Sequence, residues 1–185
     1  MTRAVVARLR RAGVAARATP GRVTPLGAAG AAFVSIHHDA PGGRGAVGHA
    51  IAGAGENWYH GEGTGTPSPV PYADSAPHRP ATTVSPAVER ASRRLAVRLA
   101  ARFGPVAARN GARAGFAGVT SSRSNPRMNR YYGFYRTRAR ARVILEAGAA
   151  GADDAFLRRA DLIAATVAGA VLDHLRAEGR LARGG

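Results

Sequence analysis

The sequence predicts an α/β fold in which a mixed, largely parallel sheet lies between helices in three layers. Three observations lead to this prediction. The chain has 185 residues, of which 45% are hydrophobic, so it can bury the core of one domain. Apolar segments typical of buried strands, such as 33–36 and 143–145, occur among amphipathic helical segments. Helix, strand, helix and strand follow one another at the start of the chain, an order typical of parallel neighbours in a sheet.

The first predicted elements precede a polar motif. In chain order they are a helix at 2–12, a short strand at 14–18, a short helix at 25–31 and a strand at 32–37. The first helix is expected because Val5 and Leu9 share one face and Gly13 is a natural stop.

Residues 40–86 differ in composition from the segments on either side. They hold most of the chain's 11 prolines and many of its 24 glycines. A stretch of this length without regular structure in a small domain is usually functional or mobile. We therefore predict a flexible, Gly/Pro-rich insertion at 40–86, within a single domain that spans 1–185.

The second half is predicted to begin with a long amphipathic helix. Ser85 is expected to be its N-cap and Pro86 its first residue. The helix is followed by an irregular stretch at 104–141, a buried strand at 142–146 and a final helical region capped by Asp153 or Asp154. In that last region an apolar stripe is expected to pack on the sheet, with His174 at the edge of the helix.

Charge and composition exclude several classes of protein. The chain has 27 basic and 11 acidic side chains, a formal net charge of +16, and all 27 basic residues are arginine. The absence of lysine and cysteine excludes Walker-type phosphate loops, Schiff-base lysines, disulfides and cysteine nucleophiles. No apolar run approaches the ~20 residues of a membrane span, and the first residues of the sequence do not predict a signal peptide. The arginines are scattered, which favours coding bias over a dedicated site for a polyanion such as nucleic acid or an anionic cell wall.

Two polar residues end the two clearest strands. His37 follows the strand 33–36, and Glu146 follows 143–145. Functional groups in open α/β sheets gather at the carboxyl ends of strands, so we expect both side chains to face one site. An imidazole can hold zinc while a carboxylate takes a proton from the attacking water, which is the chemistry of metal-assisted hydrolysis. A strand-end glutamate can equally cap a helix or pair with an arginine, and this alternative stays open.

The residues around both positions resemble one enzyme family. Residues 33–40, FVSIHHDA, are similar to the strand motif of the zinc-dependent N-acetylmuramoyl-L-alanine amidases, and 143–148, VILEAG, are similar to that family's later strand ending in Glu-x-Gly. The resemblance implies that His37 binds Zn²⁺ and that Glu146 is the catalytic general base. It also implies a peptidoglycan substrate, cleavage between N-acetylmuramic acid and L-alanine, and action at the cell wall or outside the cell. Candidates for a glycan or peptide platform are Tyr131, Tyr132 and Tyr135.

The sequence departs from this family at the other zinc ligands. The family uses a further histidine in a Gly-His-Gly turn and a glutamate at the start of its first long helix, and neither has a counterpart here. The domain is therefore expected to be N-terminally incomplete, without its opening strand, and to hydrolyse peptidoglycan weakly or not at all. Candidate substitute ligands are His38, His49, Glu56, His60, Glu62 and His78, although His38 and Asp39 are better interpreted as neighbours of the metal site. The competing hypotheses are a truncated, catalytically inactive domain that binds cell wall, and a basic nucleic-acid-binding protein.

Overall fold

The computed structural model describes residues 1–19, 27–52, 84–121 and 133–182, which form five helices and four strands. In chain order these are α1 (Thr2–Arg11), β1 (Ala28–Asp39), β2 (Gly45–His49), α2 (Pro86–Arg109), β3 (Phe116–Val119), α3 (Gly133–Arg136), β4 (Thr137–Ala149), α4 (Asp154–Leu157) and α5 (Ala160–Ala177). Helices and strands mix along the chain as in an α/β domain, which confirms the predicted fold class.

The four strands form one mixed sheet in the order β1-β4-β2-β3. β4 pairs parallel with β1, β3 pairs parallel with β2, and the two inner strands, β4 and β2, pair antiparallel. The sheet is thus largely parallel, as predicted. β4 lies inside the sheet and is buried on both faces over Val143-Ile144-Leu145, which explains its continuous apolar run.

Helices α1, α2 and α5 cover one face of the sheet. Successive strand residues point to opposite faces, and Val143 and Leu145 of β4 belong to the core that these helices share. From α2, Leu95, Leu99 and Phe103 are fully buried in the same core. Each buried leucine contributes about 1.5–3 kcal/mol relative to an exposed one, so this layer holds the sheet in place.

The start of α2 is the one that the sequence predicts. Pro86 is its first residue, and the Ser85 hydroxyl oxygen accepts a hydrogen bond from the Val88 amide at 3.3 Å. The hydroxyl therefore satisfies one of the amide groups that have no partner within the helix. Near the middle of α2, Arg94 donates two hydrogen bonds to Glu178, at 2.8 and 3.1 Å, and so ties α2 to the end of α5.

A smaller apolar cluster occupies the opposite face of the sheet. Ile144 of β4 lies there with Ala50, Val84 and Phe134. Because Phe134 belongs to α3, the described residues place helices on both faces of the sheet, as predicted. The buried side chain of Arg142 donates a hydrogen bond to the Phe134 carbonyl oxygen and fixes α3 against β4.

Three predictions for the first half of the chain are wrong. Residues 14–18 have no regular structure, because no described strand pairs with them. The predicted helix at 25–31 is, over its described residues, a turn and the start of β1. There, pairing with β4 overrides the helix propensity of alanine. The insertion predicted at 40–86 is wrong for residues 45–49, which form β2 and are all buried inside the sheet, while residues 53–83 of it lie outside the described part of the chain.

In the second half, regular structure extends into the region predicted to be irregular, 104–141. α2 continues to Arg109, β3 forms the edge beyond β2, and β4 is longer than the predicted strand 142–146. The first residues of β4 alternate between exposed arginines, Arg138 and Arg140, and buried small residues. Small buried residues give a weak hydrophobic signal, so this period of two is easily missed.

Candidate active site

His37 and Glu146 are partners in the register of β1 and β4. The two strands run parallel and end at the same edge of the sheet, so the structure brings together the two residues that the sequence singles out. Partners in a sheet point to the same face, so His37 and Glu146 lie side by side. That face is the one opposite the α1, α2 and α5 layer, because the neighbouring Leu145 belongs to the helix-facing core.

Ser35 contacts the imidazole of His37. The His37 Nε2 and the Ser35 Oγ are 2.8 Å apart, within hydrogen-bond distance. The two residues are separated by one residue of an extended strand, so their side chains share a face and one hydroxyl can orient the ring. Sequence reasoning did not single out Ser35. The signal was its position two residues before a strand-end histidine.

Glu146 is partly buried and incompletely hydrogen-bonded. Its Oε2 atom is buried, and within the described ranges no hydrogen-bond donor contacts it. Burial, and then the negative charge of Asp39, raise the pKa of the Glu146 carboxyl from 4.5 to about 7, while the positive charge of His38 opposes the change. A carboxyl group with this pKa can both take and give a proton near neutral pH. No arginine pairs with it among the residues described, and an arginine pair is one of the two contacts, with a helix cap, on which the structural alternative rests.

Asp39 is held beside this site by a tight turn. Its carboxylate oxygens accept hydrogen bonds from the amides of Ala40, at 2.8 Å, and Arg44, at 3.3 Å. Gly43 leaves room for this arrangement, because a Cβ atom at that position would lie 2.2 Å from an Asp39 carboxylate oxygen. The fixed negative charge of Asp39 therefore acts on Glu146 from the rim of the site. His38 is exposed, as expected for a neighbour of the site.

The strand on the other side of Glu146 presents only small residues to this face. In β2, Ala46 is the register partner of Glu146, and Gly48 is the partner of Ile144. No long side chain of β2 can therefore cover Glu146 from that side. Ala46 and Gly48 are themselves buried, so this side of the site is not exposed to solvent.

The Glu-x-Gly pattern near the end of β4 has a structural explanation. A Cβ atom on Gly148 would lie 2.8 Å from an Asp153 carboxylate oxygen, so only glycine fits beneath Asp153. Asp153 is fully buried and accepts hydrogen bonds from the amides of Arg113, Ala114 and Ala149. It thus ties the end of β4 to the loop before β3. The sequence suggested a helix cap for this residue, but its side chain makes no such bond.

Two other histidines lie away from the site. His49 is 4% exposed on β2, and its partner Val143 faces the helices. Burial lowers the pKa of His49, and its Nδ1 lies 3.0 Å from the Ala50 carbonyl oxygen. His174 was predicted at the edge of α5 but is only 2% exposed. Both are therefore packed residues, and His49 does not serve as a substitute ligand beside His37.

The remaining candidate residues lie outside the described part of the chain or have side chains outside it. They are Glu56, His60, Glu62, His78, Tyr131, Tyr132 and, for its side chain, Tyr135.

The donor atoms at the site suit zinc in kind. A histidine beside a carboxylate of raised pKa is the pairing that zinc hydrolases use, and the buried Glu146 Oε2 is an acceptor for which the described residues supply no donor. In the described ranges, however, His37 and Glu146 do not belong to any group of three side chains able to hold a metal. A bound zinc ion would therefore need further ligands besides these residues.

Comparison with protein-family models, with curated proteins and with solved structures finds no match for this chain. Among the described helices, none has the length and apolar character that crossing a membrane demands.

Proposed function

We propose that this chain is a zinc-dependent peptidoglycan hydrolase of the N-acetylmuramoyl-L-alanine amidase type. The observation that supports the proposal most directly is the pairing of His37 with Glu146 near the carboxyl ends of two parallel strands. Its substrate would be the amide between N-acetylmuramic acid and the L-alanine of the stem peptide, and its place of action the cell wall.

In this proposal His37 binds the metal, and Ser35 orients the imidazole of His37. The hydrogen-bond contact of 2.8 Å between Ser35 Oγ and His37 Nε2 restricts rotation of the imidazole. A histidine held by a second side chain loses less freedom on binding a metal, and such contacts also fix its tautomer. Ser35 is thus a positioning residue.

Glu146 is the proposed general base. With a carboxyl pKa of about 7, a large fraction of the enzyme carries Glu146 ionised at neutral pH, ready to accept a proton from water. The same carboxyl then holds that proton at a strength suited to donating it to the leaving amine. A glutamate of ordinary pKa would be a weaker base and, once protonated, would lose the proton to solvent more readily.

Zinc, when bound, would supply Lewis acidity toward the scissile carbonyl and the attacking water. Its remaining ligands would come from residues other than those described beside His37. Ala46 and Gly48 place no long side chain of β2 beside Glu146, so an acyl group bound next to Glu146 would meet only small residues from that strand.

The test compares zinc binding and hydrolysis in matched variants. The parent protein is loaded with zinc, its bound metal is measured, and release of stem peptides from purified cell wall is followed. His37→Ala should lose zinc and activity, and Glu146→Gln should keep zinc and lose about 10²–10⁴-fold in rate. Arg11→Ala, at an exposed position of α1 away from the site, is the control and should change neither strongly. Equal zinc content in His37→Ala and the parent would refute the assignment of His37.

A second candidate function is binding of cell wall without cleavage. It is favoured by one observation, that His37 and Glu146 have no third ligand among the described residues. Co-sedimentation with purified cell wall separates the two functions. A protein that binds cell wall, holds no zinc and releases no stem peptide would support this candidate and contradict the hydrolase.

A further inference from the structure

β1 forms one edge of the sheet that the described strands build. In the described sheet its one neighbour is β4, and no strand lies on its other side. The exposure of its side chains reflects this position. Val34 and Ile36 are partly exposed, whereas their partners on β4, Val143 and Leu145, are fully buried. Over residues 28–34, the outer backbone N–H and C=O groups of β1 therefore have no ladder partner among the described strands.

This edge lacks the usual protection against pairing. Exposed edge strands are commonly short, charged, interrupted by proline or bulged. β1 has 12 residues, and its segment 28–36 contains no charged residue and no proline. Its register with β4 becomes irregular only between His37 and Asp39, at the end next to the candidate active site. The uncharged segment 28–36 of this edge therefore lacks the features that prevent pairing with another strand.

An apolar groove of about 220 Å³ lies along this edge. Seven consecutive residues of β1, 28–34, line it, together with Val14–Arg17 from the segment after α1. Side chains of one face of a strand come from alternate residues, so consecutive residues line one groove when the backbone edge of the strand forms the wall of that groove. The apolar lining is completed from α1 and α5 by Val5, Val6, Leu9, Val171 and Leu175.

We propose that this groove binds an extended peptide segment, which adds to β1 as a further strand. Main-chain hydrogen bonds to the outer edge of β1 would supply affinity, and apolar side chains at alternate positions would enter the groove. Arg17 lines the groove, is exposed, and makes no hydrogen bond or ion pair with any residue in the described ranges. The segment therefore has an acidic residue placed to meet Arg17.

A single free segment fits this groove better than the edge of a second copy. The groove is lined beyond β1 by Val14–Arg17, so a partner sheet edge would have to displace that segment. A second copy would bring its own such segment and its own formal charge of +16. This inference does not depend on the proposed hydrolase function, because neither His37 nor Glu146 lines the groove.

The experiment measures binding of a fluorescein-labelled synthetic peptide by anisotropy. The peptide matches residues 28–34 in length, alternates valine and threonine, and ends in aspartate. Ala15→Trp fills the groove from an exposed position, and Ala18→Trp is the matched control, exposed on the same segment outside the groove. Arg17→Glu removes the proposed charge partner, and Arg11→Glu makes the same charge change on an exposed helix position outside the groove.

We expect saturable binding that Ala15→Trp weakens about tenfold or more and Arg17→Glu about fivefold, with little effect of either control. Hydrogen exchange should slow at alternate amides of β1, those that point away from β4. Absence of saturable binding would overturn the proposal, as would equal weakening by Arg17→Glu and Arg11→Glu, which indicates non-specific charge attraction. Concentration-dependent self-association that protects the same amides without peptide would show that a second copy is the occupant, also against the proposal.

Discussion

Glu146→Gln should stabilise the fold at high pH while abolishing hydrolysis. The variant keeps the shape of the side chain and removes its charge. In the folded chain the Glu146 carboxyl has a pKa of about 7, against 4.5 for the ordinary group, chiefly because it is buried. The folded state thus holds a proton that the unfolded state releases between these two values, so the carboxyl costs stability as pH rises from 4.5 to 7.

The size of the effect follows from the two pKa values. Their difference sets an upper limit of about 3 kcal/mol, and partial exposure to water reduces it to on the order of 1–2 kcal/mol. Because the Oε2 atom has no hydrogen-bond donor among the described residues, replacing the carboxylate with the glutamine amide removes no described hydrogen bond at that atom. A gain of this size corresponds to a rise in Tm of about 2–8 °C for a chain of this length.

The assay is thermal unfolding of the parent and Glu146→Gln, followed by circular dichroism with a chelator present to remove metal. We expect a higher Tm for the variant at pH 8 and equal Tm values at pH 4, where the parent carboxyl is protonated in both states. A lower Tm for the variant at pH 8 would refute the reasoning. It would show that the carboxylate makes a stabilising ion pair, and Glu146 would then be a structural residue.

Three further predictions concern the frame around the site. His174→Gln should reduce the loss of stability as pH falls below 6.5, because burial and the arginines of α2 lower the pKa of His174 and its protonation favours the unfolded chain. Urea unfolding at pH 5 and 8 measures this loss, and an unchanged pH dependence would contradict the prediction. Gly43→Ala should destabilise the protein by about 1–3 kcal/mol, since its Cβ atom would overlap the Asp39 carboxylate; an unchanged midpoint of urea unfolding would show that the turn rearranges freely. Asp153→Ala should cost about 3 kcal/mol or more, because the amide hydrogens of three residues lose a buried acceptor; a loss below 1 kcal/mol in the same assay would mean that water replaces the carboxylate.

The strand ends were predictable from the sequence because their signals are local. His37 and Glu146 each follow a run of large apolar residues, and runs of this kind in an α/β chain become strands of the sheet with functional carboxyl ends. Their exact pairing in register adds something that the sequence does not contain. Register depends on how β1 and β4 meet along their whole length, which is a tertiary property.

The elements that were missed have weak local signals. β2, Gly45-Ala46-Val47-Gly48-His49, has one large apolar residue, and it is a strand because β3 and β4 flank it on both sides. The alanines at the start of β1 favour a helix in isolation but pair with β4 instead. The roles of Ser35, Asp39 and Asp153 depend on contacts across turns and between strands, which spacing alone does not specify.

The pH dependence of hydrolysis tests the central claim most directly. The assay measures kcat/KM for release of stem peptides from purified cell wall by the zinc-loaded protein between pH 4 and 9. If Glu146 is the general base, the rate should rise with pH through a midpoint near its carboxyl pKa of about 7, and Glu146→Gln should abolish the rise together with the activity. A midpoint near the ordinary glutamate value of 4.5, or a Glu146→Gln variant that hydrolyses cell wall as fast as the parent, would contradict the account.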